Sequence, residues 1–435
     1  MCDTFVIRIK NGMLFGKNSD REPGEAQLVV RKEPVSDDTA KTMAATYISI
    51  DGAGRRHGVL LSKPAWIWGA EMGANDRGVV IGNEAVFTRV LEKTDGLIGM
   101  DLIRLGLERG DTATHALHII TGLLEKHGQG GVCGFRDKRF RYDNSFIIAD
   151  AEDAWVLETA GRHWAARKAS DYAAISNCLT ITTDYDMTSA GIEDFAIRRG
   201  LYKGKGPLDF RKTFEAPLMP FLARSRRRLE SACNAIQTIP EADSPADFST
   251  AMDILRTHRH PDGPPASGSN ADICMHAAGP VRRSQTTGSM VSLLEKDRAT
   301  HLLTGTATPC LSVFKPVDVS GDDPFYVLNP DGKTVEGSLW RRFEPVHRHA
   351  LFSGEIRDML RRSARRAEEK MLAGLAAHPD GQGDTNRLGA AQEPVRDWTE
   401  EQIQSFHKMP FQYPLTPYGW FWKRMNRMDG IDPQL

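Results

Sequence analysis

The chain has 435 residues, 56 Lys and Arg against 57 Asp and Glu, 40% hydrophobic side chains and six cysteines, which allows a large buried core. A net charge of −1 gives no long-range field for a phosphate backbone, and no basic stretch is interleaved with aromatics, so no nucleic-acid partner is expected. The longest apolar stretches, Val59 to Ala70 and Phe146 to Leu157, are broken by Lys63 or acidic residues well short of the roughly 20 residues that span a bilayer. No membrane partner is expected. The opening Met1-Cys2-Asp3-Thr4 has neither a basic nor an apolar leader region, so the cytoplasm is the default location.

Residues 3 to 9 are mostly β-branched or aromatic, Lys10-Asn11-Gly12 supplies an Asn-Gly turn, and Met13 to Gly16 begins a second apolar run. This hairpin places Cys2 at the start of one strand and Lys17, Asn18, Ser19 and Asp20 at the end of its antiparallel partner. Further strands are expected at Ala45 to Ile50, Gly58 to Leu61, Gly78 to Ile81, Ser145 to Ala149, Ala154 to Glu158, His163 to Arg167 and Met290 to Leu294. Helical periodicity covers Leu102 to Arg109, His115 to His127, Leu222 to Ile236 and Glu355 to Ala377. Pro245 and Asp247 mark one more helix start, before Met252 to His258. His378 to Glu393 reads as an exposed loop, and the aromatic tail Phe411 to Trp422 as a segment that docks back on the body. Strands separated by helical pairs indicate an α+β layered class.

The cysteines stand at positions 2, 133, 178, 233, 274 and 310, too far apart for CxxC pairs or zinc knuckles built from neighbouring cysteines. The last five read as small buried hydrophobes. Cys2 differs, because removal of Met1 would make it the chain terminus. A thiol is the most nucleophilic side chain near neutral pH, and a free α-amine, with an ordinary pKa of about 8, can take its proton. One residue then supplies both nucleophile and base. Asp20 is placed to orient that amine, Lys17 to keep the site electropositive and Asn18 to donate hydrogen bonds, although a polar strand end followed by a turn explains the same residues. Asn83 and Asn177 each follow a strand, where an oxyanion hole or an ordinary turn could use them. His258-x-His260, His347-x-His349 and His115-x-x-His118 lack the carboxylate or cysteine of a metal motif and read as surface histidines. No nucleotide-binding glycine motif occurs, and no metal or cofactor is expected.

The segments Cys2 to Val6 and Phe15 to Arg21, Glu25-Ala26-Gln27, Trp68 to Asn75, Gly82 to Thr88, Gly99 to Leu102, Trp155 to Gly161, Ile175 to Asn177, Ser289 to Ser292 and Ser312 to Pro316 resemble, in order and spacing, the secernin family and its bacterial dipeptidase relatives. That resemblance implies an N-terminal nucleophile hydrolase: a four-layer αββα sandwich over residues 1–330, with a helical C-terminal extension over 331–435. It further implies Cys2 as nucleophile, Asp20 near the amine and Asn83 and Asn177 at the oxyanion. Lys17 stands where bile-salt enzymes of the wider group carry arginine. A later arginine is best matched by Arg224, with Arg226, Arg227 and Arg228 crowding the same helix start; a solvated basic face reads equally well. The implied reaction is hydrolysis of a small peptide or amide through a Cys2 thioester. An acylase or acyltransferase and a non-catalytic regulatory protein are the alternatives. The oligomeric state stays open, the resemblance allowing a homo-oligomer.

Overall fold

A computed structural model describes residues 1–239, 246–320, 333–377, 384–406 and 411–431. Two antiparallel sheets form its centre. One runs in the order Tyr172–Ile175, Cys2–Ile9, Gly12–Arg21, Gln285–Glu295, Arg298–Leu303, Lys315–Val317. The other runs Met187–Thr188, His163–Lys168, Ala154–Ala160, Asp143–Ala149, Val80–Val86, Met72–Asn75, Val59–Pro64, Gln27–Lys32.

Alternation along the strands builds the layers. Val6, Met13, Phe15, Met290 and Leu303 of the first sheet meet Val29, Leu60, Met72, Val80, Ile147 and Val156 of the second in one core. The opposite face of the first sheet, with Phe5, Ile7, Leu14, Val291 and Leu302, packs on the helices Ser225–Gln237, Phe248–Leu255, Gly354–Ala377 and Asp384–Ser405. The outer face of the second, with Leu61, Ile81, Phe146 and Leu157, packs on Gly99–Arg109 and Ala113–His127. The order helix, sheet, sheet, helix is the expected four-layer αββα sandwich. The division expected at residues 330 and 331 falls outside the described residues. Among those described, no helix is long and apolar enough to cross a membrane.

The N-terminal hairpin forms in the expected register, with Cys2 opposite Ser19 and Ile9 opposite Gly12. Its turn is one residue earlier than the Asn-Gly reading, because Gly12 already pairs with Glu295 of the neighbouring strand. Gly12 is extended at φ 153°, and a Cβ there would lie 1.8 Å from the Leu294 carbonyl oxygen. Only glycine tolerates that approach.

Four expected elements are corrected. Ala45 to Ile48 is the turn of a small ladder between Thr42–Ala44 and Ser49–Asp51, closed by Ala45 N–H donating to the Ile48 carbonyl at 2.8 Å, so only Ser49 and Ile50 of the expected strand are extended. The helix expected over Leu222 to Ile236 is two helices, Leu218–Leu222 and Ser225–Gln237, parted by Arg224 at φ 52°. The loop expected over His378 to Glu393 is helical from Asp384 onward, with residues 378–383 outside the described set. Ala391, Val395 and Trp398 are drawn into the core, and that burial outweighs the polar composition. His347 and His349 are buried rather than on the surface. The helix start expected at Asp247 is present, its side chain capping Thr250 N–H at 2.9 Å, and Pro245 lies outside the described residues. The aromatic tail docks as expected, with Trp422 fully buried against Ala277 and Leu351.

His301 is 2% exposed, its Nδ1 is 2.9 Å from Ser292 Oγ, and burial pulls its imidazole down to about 4. The folded chain therefore keeps His301 neutral down to about pH 4, whereas an unfolded histidine protonates near 6.5. Between those values the unfolded state binds more protons, so this residue removes stability as the pH falls, by up to about 1.4 kcal/mol per unit. In urea titrations at pH 6.5 and 4.5, His301→Leu should lose less stability on acidification than the wild type. Equal losses would contradict the assignment.

Candidate active site

The hairpin register decides what surrounds Cys2. Its main-chain N–H donates to Asn177 Oδ1 at 2.8 Å, and its Sγ accepts from the Asp20 N–H at 3.3 Å. The Met1 ammonium donates to the Asp20 main-chain carbonyl at 3.1 Å. Asn177 comes from the turn after Tyr172–Ile175, which pairs with the Cys2 strand from the other side. Cys2 thus lies where three neighbouring strands end together.

Lys17, fully buried, points between the sheets. Its Nζ donates to the Asn83 carbonyl at 2.5 Å and to Glu84 Oε1 at 3.2 Å, and Glu84 also accepts from Thr4 Oγ1. Burial works against the ammonium, but Glu84 and the Cys2 thiol outweigh it and raise the Lys17 pKa, so the charge is kept. Burial pushes the Cys2 thiol up to about 12, against the opposing pull of Lys17 and the terminal ammonium. With Met1 attached, Cys2 is a protonated thiol and its nitrogen is a peptide group with no basic lone pair. Asp20, also raised by burial, accepts from Thr286 Oγ1 at 2.6 Å on Oδ1, while Oδ2 is buried without a hydrogen bond. With Met1 attached, the terminal ammonium is held by the Asp20 main-chain carbonyl and not by the carboxyl.

The asparagines do not form the symmetric pair that the sequence suggested. Asn177 Oδ1 accepts from both Cys2 N–H and Arg228 Nη2, each at 2.8 Å, while its Nδ2 donates to the Ala85 carbonyl at 2.8 Å. Two donors on one atom fix the amide orientation. Asn83 points its side chain away from Lys17, donating to Asn144 Oδ1 at 2.9 Å beside Met100 of the outer helix. Strand alternation explains this: Glu84 faces the first sheet, so Asn83 must face the other way. Asn18 also turns outward, its Nδ2 donating to the Leu255 and Ile273 carbonyls at 2.8 and 3.0 Å and its Oδ1 accepting from Ser289 Oγ. It holds the strand to the helical layer and does not face the thiol.

Arg224 is exposed, its guanidinium over the Phe221 ring, so the arginine expected at that position is not in the site. Arg228 is. It is fully buried, bonded to Asn177 and 3.6 Å from Asp3, whose carboxyl is raised by burial to about 7 against the pull of that guanidinium. A signal for it was present: Ala232 and Ile236 set the buried face of this helix, and counting back four and eight residues from them gives Arg228. Next to Asp20, Arg21 donates to Glu25, Glu71 and Tyr142, tying down the end of the Asp20 strand.

In comparison with known proteins, residues 51–218 match the model of peptidase family C69. The C69 match takes in Asn83 and Asn177 and begins after Cys2, Lys17 and Asp20. The matched family is one of peptidases, enzymes that cleave C–N bonds. Among solved structures the chain is similar to penicillin V acylase from Agrobacterium tumefaciens, at 12% identity over 73% of this chain and 86% of that one, TM-score 0.42. It is also similar to the C2A mutant of conjugated bile acid hydrolase from Clostridium perfringens, at 12% identity over 74% and 95%, TM-score 0.45. An N-acylethanolamine-hydrolyzing acid amidase ortholog from Caenorhabditis elegans is similar at 11% identity over 67% and 92%, TM-score 0.34.

Proposed function

We propose that this chain is a cysteine-type N-terminal nucleophile amidohydrolase, acting as a dipeptidase on small peptides in the cytoplasm once Met1 has been removed. The observation that carries the reading is the hydrogen bond from the residue-2 nitrogen to Asn177 Oδ1, which would hold an α-amine beside its own thiol. Loss of half-buried Met1 changes that nitrogen from a peptide group into a base with an ordinary pKa of about 8 and uncovers the buried start of the strand.

The α-amine takes the thiol proton, and the thiolate forms a C–S bond to the substrate carbonyl carbon, leaving an oxyanion. The second N–H of the Asn177 amide is the donor this reading assigns to that oxyanion, and buried Lys17 supplies positive charge. Collapse breaks the C–N bond as the ammonium returns its proton to the leaving amine. Water, deprotonated by the same amine, then cleaves the thioester and restores the thiol. Asn83 acts here through its carbonyl on Lys17, and Arg228 and Asn18 act as positioning residues.

Intact-mass measurement after purification, with and without an amine-compatible thiol electrophile, should show loss of one methionine and a single adduct on Cys2. A retained Met1 together with an unlabelled Cys2 would overturn the reading in favour of a non-catalytic protein. Profiling the processed protein against dipeptides, N-acyl amino acids and penicillin V should give its highest kcat/KM on a dipeptide. Preference for either of the other two would make it an acylase.

A further inference from the structure

A second cluster of chemistry lies behind the Asp20 strand. His258 Nε2, His276 Nε2, Cys274 Sγ and Cys310 Sγ all lie within 4.8 Å of one another. The two ring nitrogens are 3.1 Å apart, Cys310 Sγ is 3.3 Å from His276 Nε2, and Cys274 Sγ is 4.0 Å from it. Cys274, His276 and Cys310 are buried and His258 is half-buried.

Hydrogen bonding accounts poorly for this arrangement. A neutral imidazole offers one donor and one acceptor, and thiols are weak at both, yet four soft donor atoms converge on one small volume. A tetrahedral zinc ion accounts for it directly. Zinc to sulfur at about 2.3 Å and to nitrogen at about 2.0–2.1 Å puts tetrahedral edges at about 3.3 Å between nitrogens and about 3.5 Å between nitrogen and sulfur. The three separations from His276 Nε2, 3.1, 3.3 and 4.0 Å, agree with these edges to within about half an ångström. Two thiolates and one divalent ion are neutral together, which suits a buried centre. Arg256, the guanidinium packed on the Cys310 turn, is already paired with Glu368, so it competes little for those thiolates.

We propose that His258, Cys274, His276 and Cys310 form a closed structural zinc site of the Cys2His2 type. The four ligands come from the end of the helix Phe248–Leu255, the segment before Gln285–Glu295 and the turn Pro309–Leu311, three stretches that nothing else cross-links covalently. As the ion binds, each thiol gives its proton to solvent and each sulfur and imidazole nitrogen donates one lone pair; no oxidation state changes. All four positions are filled by protein, which leaves no open position for substrate and makes the ion a structural one.

Its place in the fold gives it a purpose. Ile273, next to Cys274, accepts from Asn18 at 3.0 Å. Met275 N–H donates to Thr286 Oγ1 at 3.0 Å, and that hydroxyl donates to Asp20 Oδ1 at 2.6 Å. The zinc would fix the segment on which the Asp20 carboxylate rests, a link to catalysis that depends on the function proposed above, whereas the metal site itself does not.

Metal analysis of the full chain, purified without chelator from zinc-supplemented cells, should find about one zinc per chain. X-ray absorption at the zinc edge should resolve two sulfur and two nitrogen neighbours. Cobalt exchange should give the visible bands of a tetrahedral ion together with thiolate charge-transfer bands. The Cys274→Ala/Cys310→Ala variant should lose the metal, and Cys233→Ala should keep it. Metal-free protein that takes up neither zinc nor cobalt would overturn the proposal, as would a zinc shell of oxygen and nitrogen alone. The last two measurements use wild-type protein, so they decide the matter even if the double variant fails to fold, and neither depends on peptidase activity.

Discussion

Cys2→Ala should abolish turnover, lowering kcat/KM on the best peptide substrate by about 10⁴-fold or more, while leaving circular dichroism and the thermal midpoint close to wild type. The size follows from what is lost. The thiol is the only side-chain group in the proposed path that bonds to carbon, and no neighbouring side chain can replace it: Ser19 and Thr4 lie on the same strands, but Thr4 donates to Glu84, which is already paired with Lys17, and Ser19 Oγ has no hydrogen-bond partner. The fold should survive because the Cys2 main chain, which carries the bond to Asn177 and the pairing to Ser19, is unchanged, and the side chain removed is small and lies at the strand end. Cys2→Ser tests the chemistry more finely, since a hydroxyl keeps the geometry but not the acidity. Steady-state kinetics on protein whose N-terminus has been checked by mass is the measurement. Residual activity in Cys2→Ala above about one-hundredth of wild type would rule out this nucleophile.

Arg228→Ala should cost about 3–5 kcal/mol of stability and lower kcat by about 100-fold. Arg228 spans from the helix Ser225–Gln237 to the edge of the first sheet, where it is fully buried between Asp3 and Asn177. Its loss leaves the Asp3 carboxyl buried with no compensating cation and removes one of two donors that fix the Asn177 amide. The first effect appears as stability. The second lets Asn177 release the Cys2 nitrogen, which misplaces the base relative to the thiol. Urea unfolding and steady-state kinetics separate them. Adding Asp3→Asn to Arg228→Ala should recover a large part of the stability, because the stranded charge is gone, but little of the kcat, because Asn177 remains loose. Recovery of both together would show that Arg228 is only a structural partner of Asp3.

The layered class and the hairpin were legible in the sequence because each rests on local facts: a turn between two apolar runs and the alternation of side chains. Pairing in the hairpin then determined that Lys17, Ser19 and Asp20 stand beside Cys2 and Thr4, since an antiparallel register follows from where the turn falls. Facing was harder. Asn83 is adjacent to the site in sequence terms, yet one step of strand alternation sends its amide to Asn144 and gives Glu84 the inward place. Asn18 is displaced from the thiol by the same rule. Four arginines in five residues were equivalent until the phase of one helix buried Arg228 and left Arg224, at the left-handed turn before it, exposed.

By itself, then, the sequence determined the chemistry available at residue 2 and the order of the layers, because both depend on covalent identity and on periodicities of two and 3.6. The tertiary structure alone decided which amide holds the Cys2 nitrogen, which arginine balances Asp3, and that Cys274 and Cys310, 36 residues apart, meet two histidines in one buried cluster. Such contacts form only when separate segments pack on the same sheet, and no local pattern in the chain records that packing.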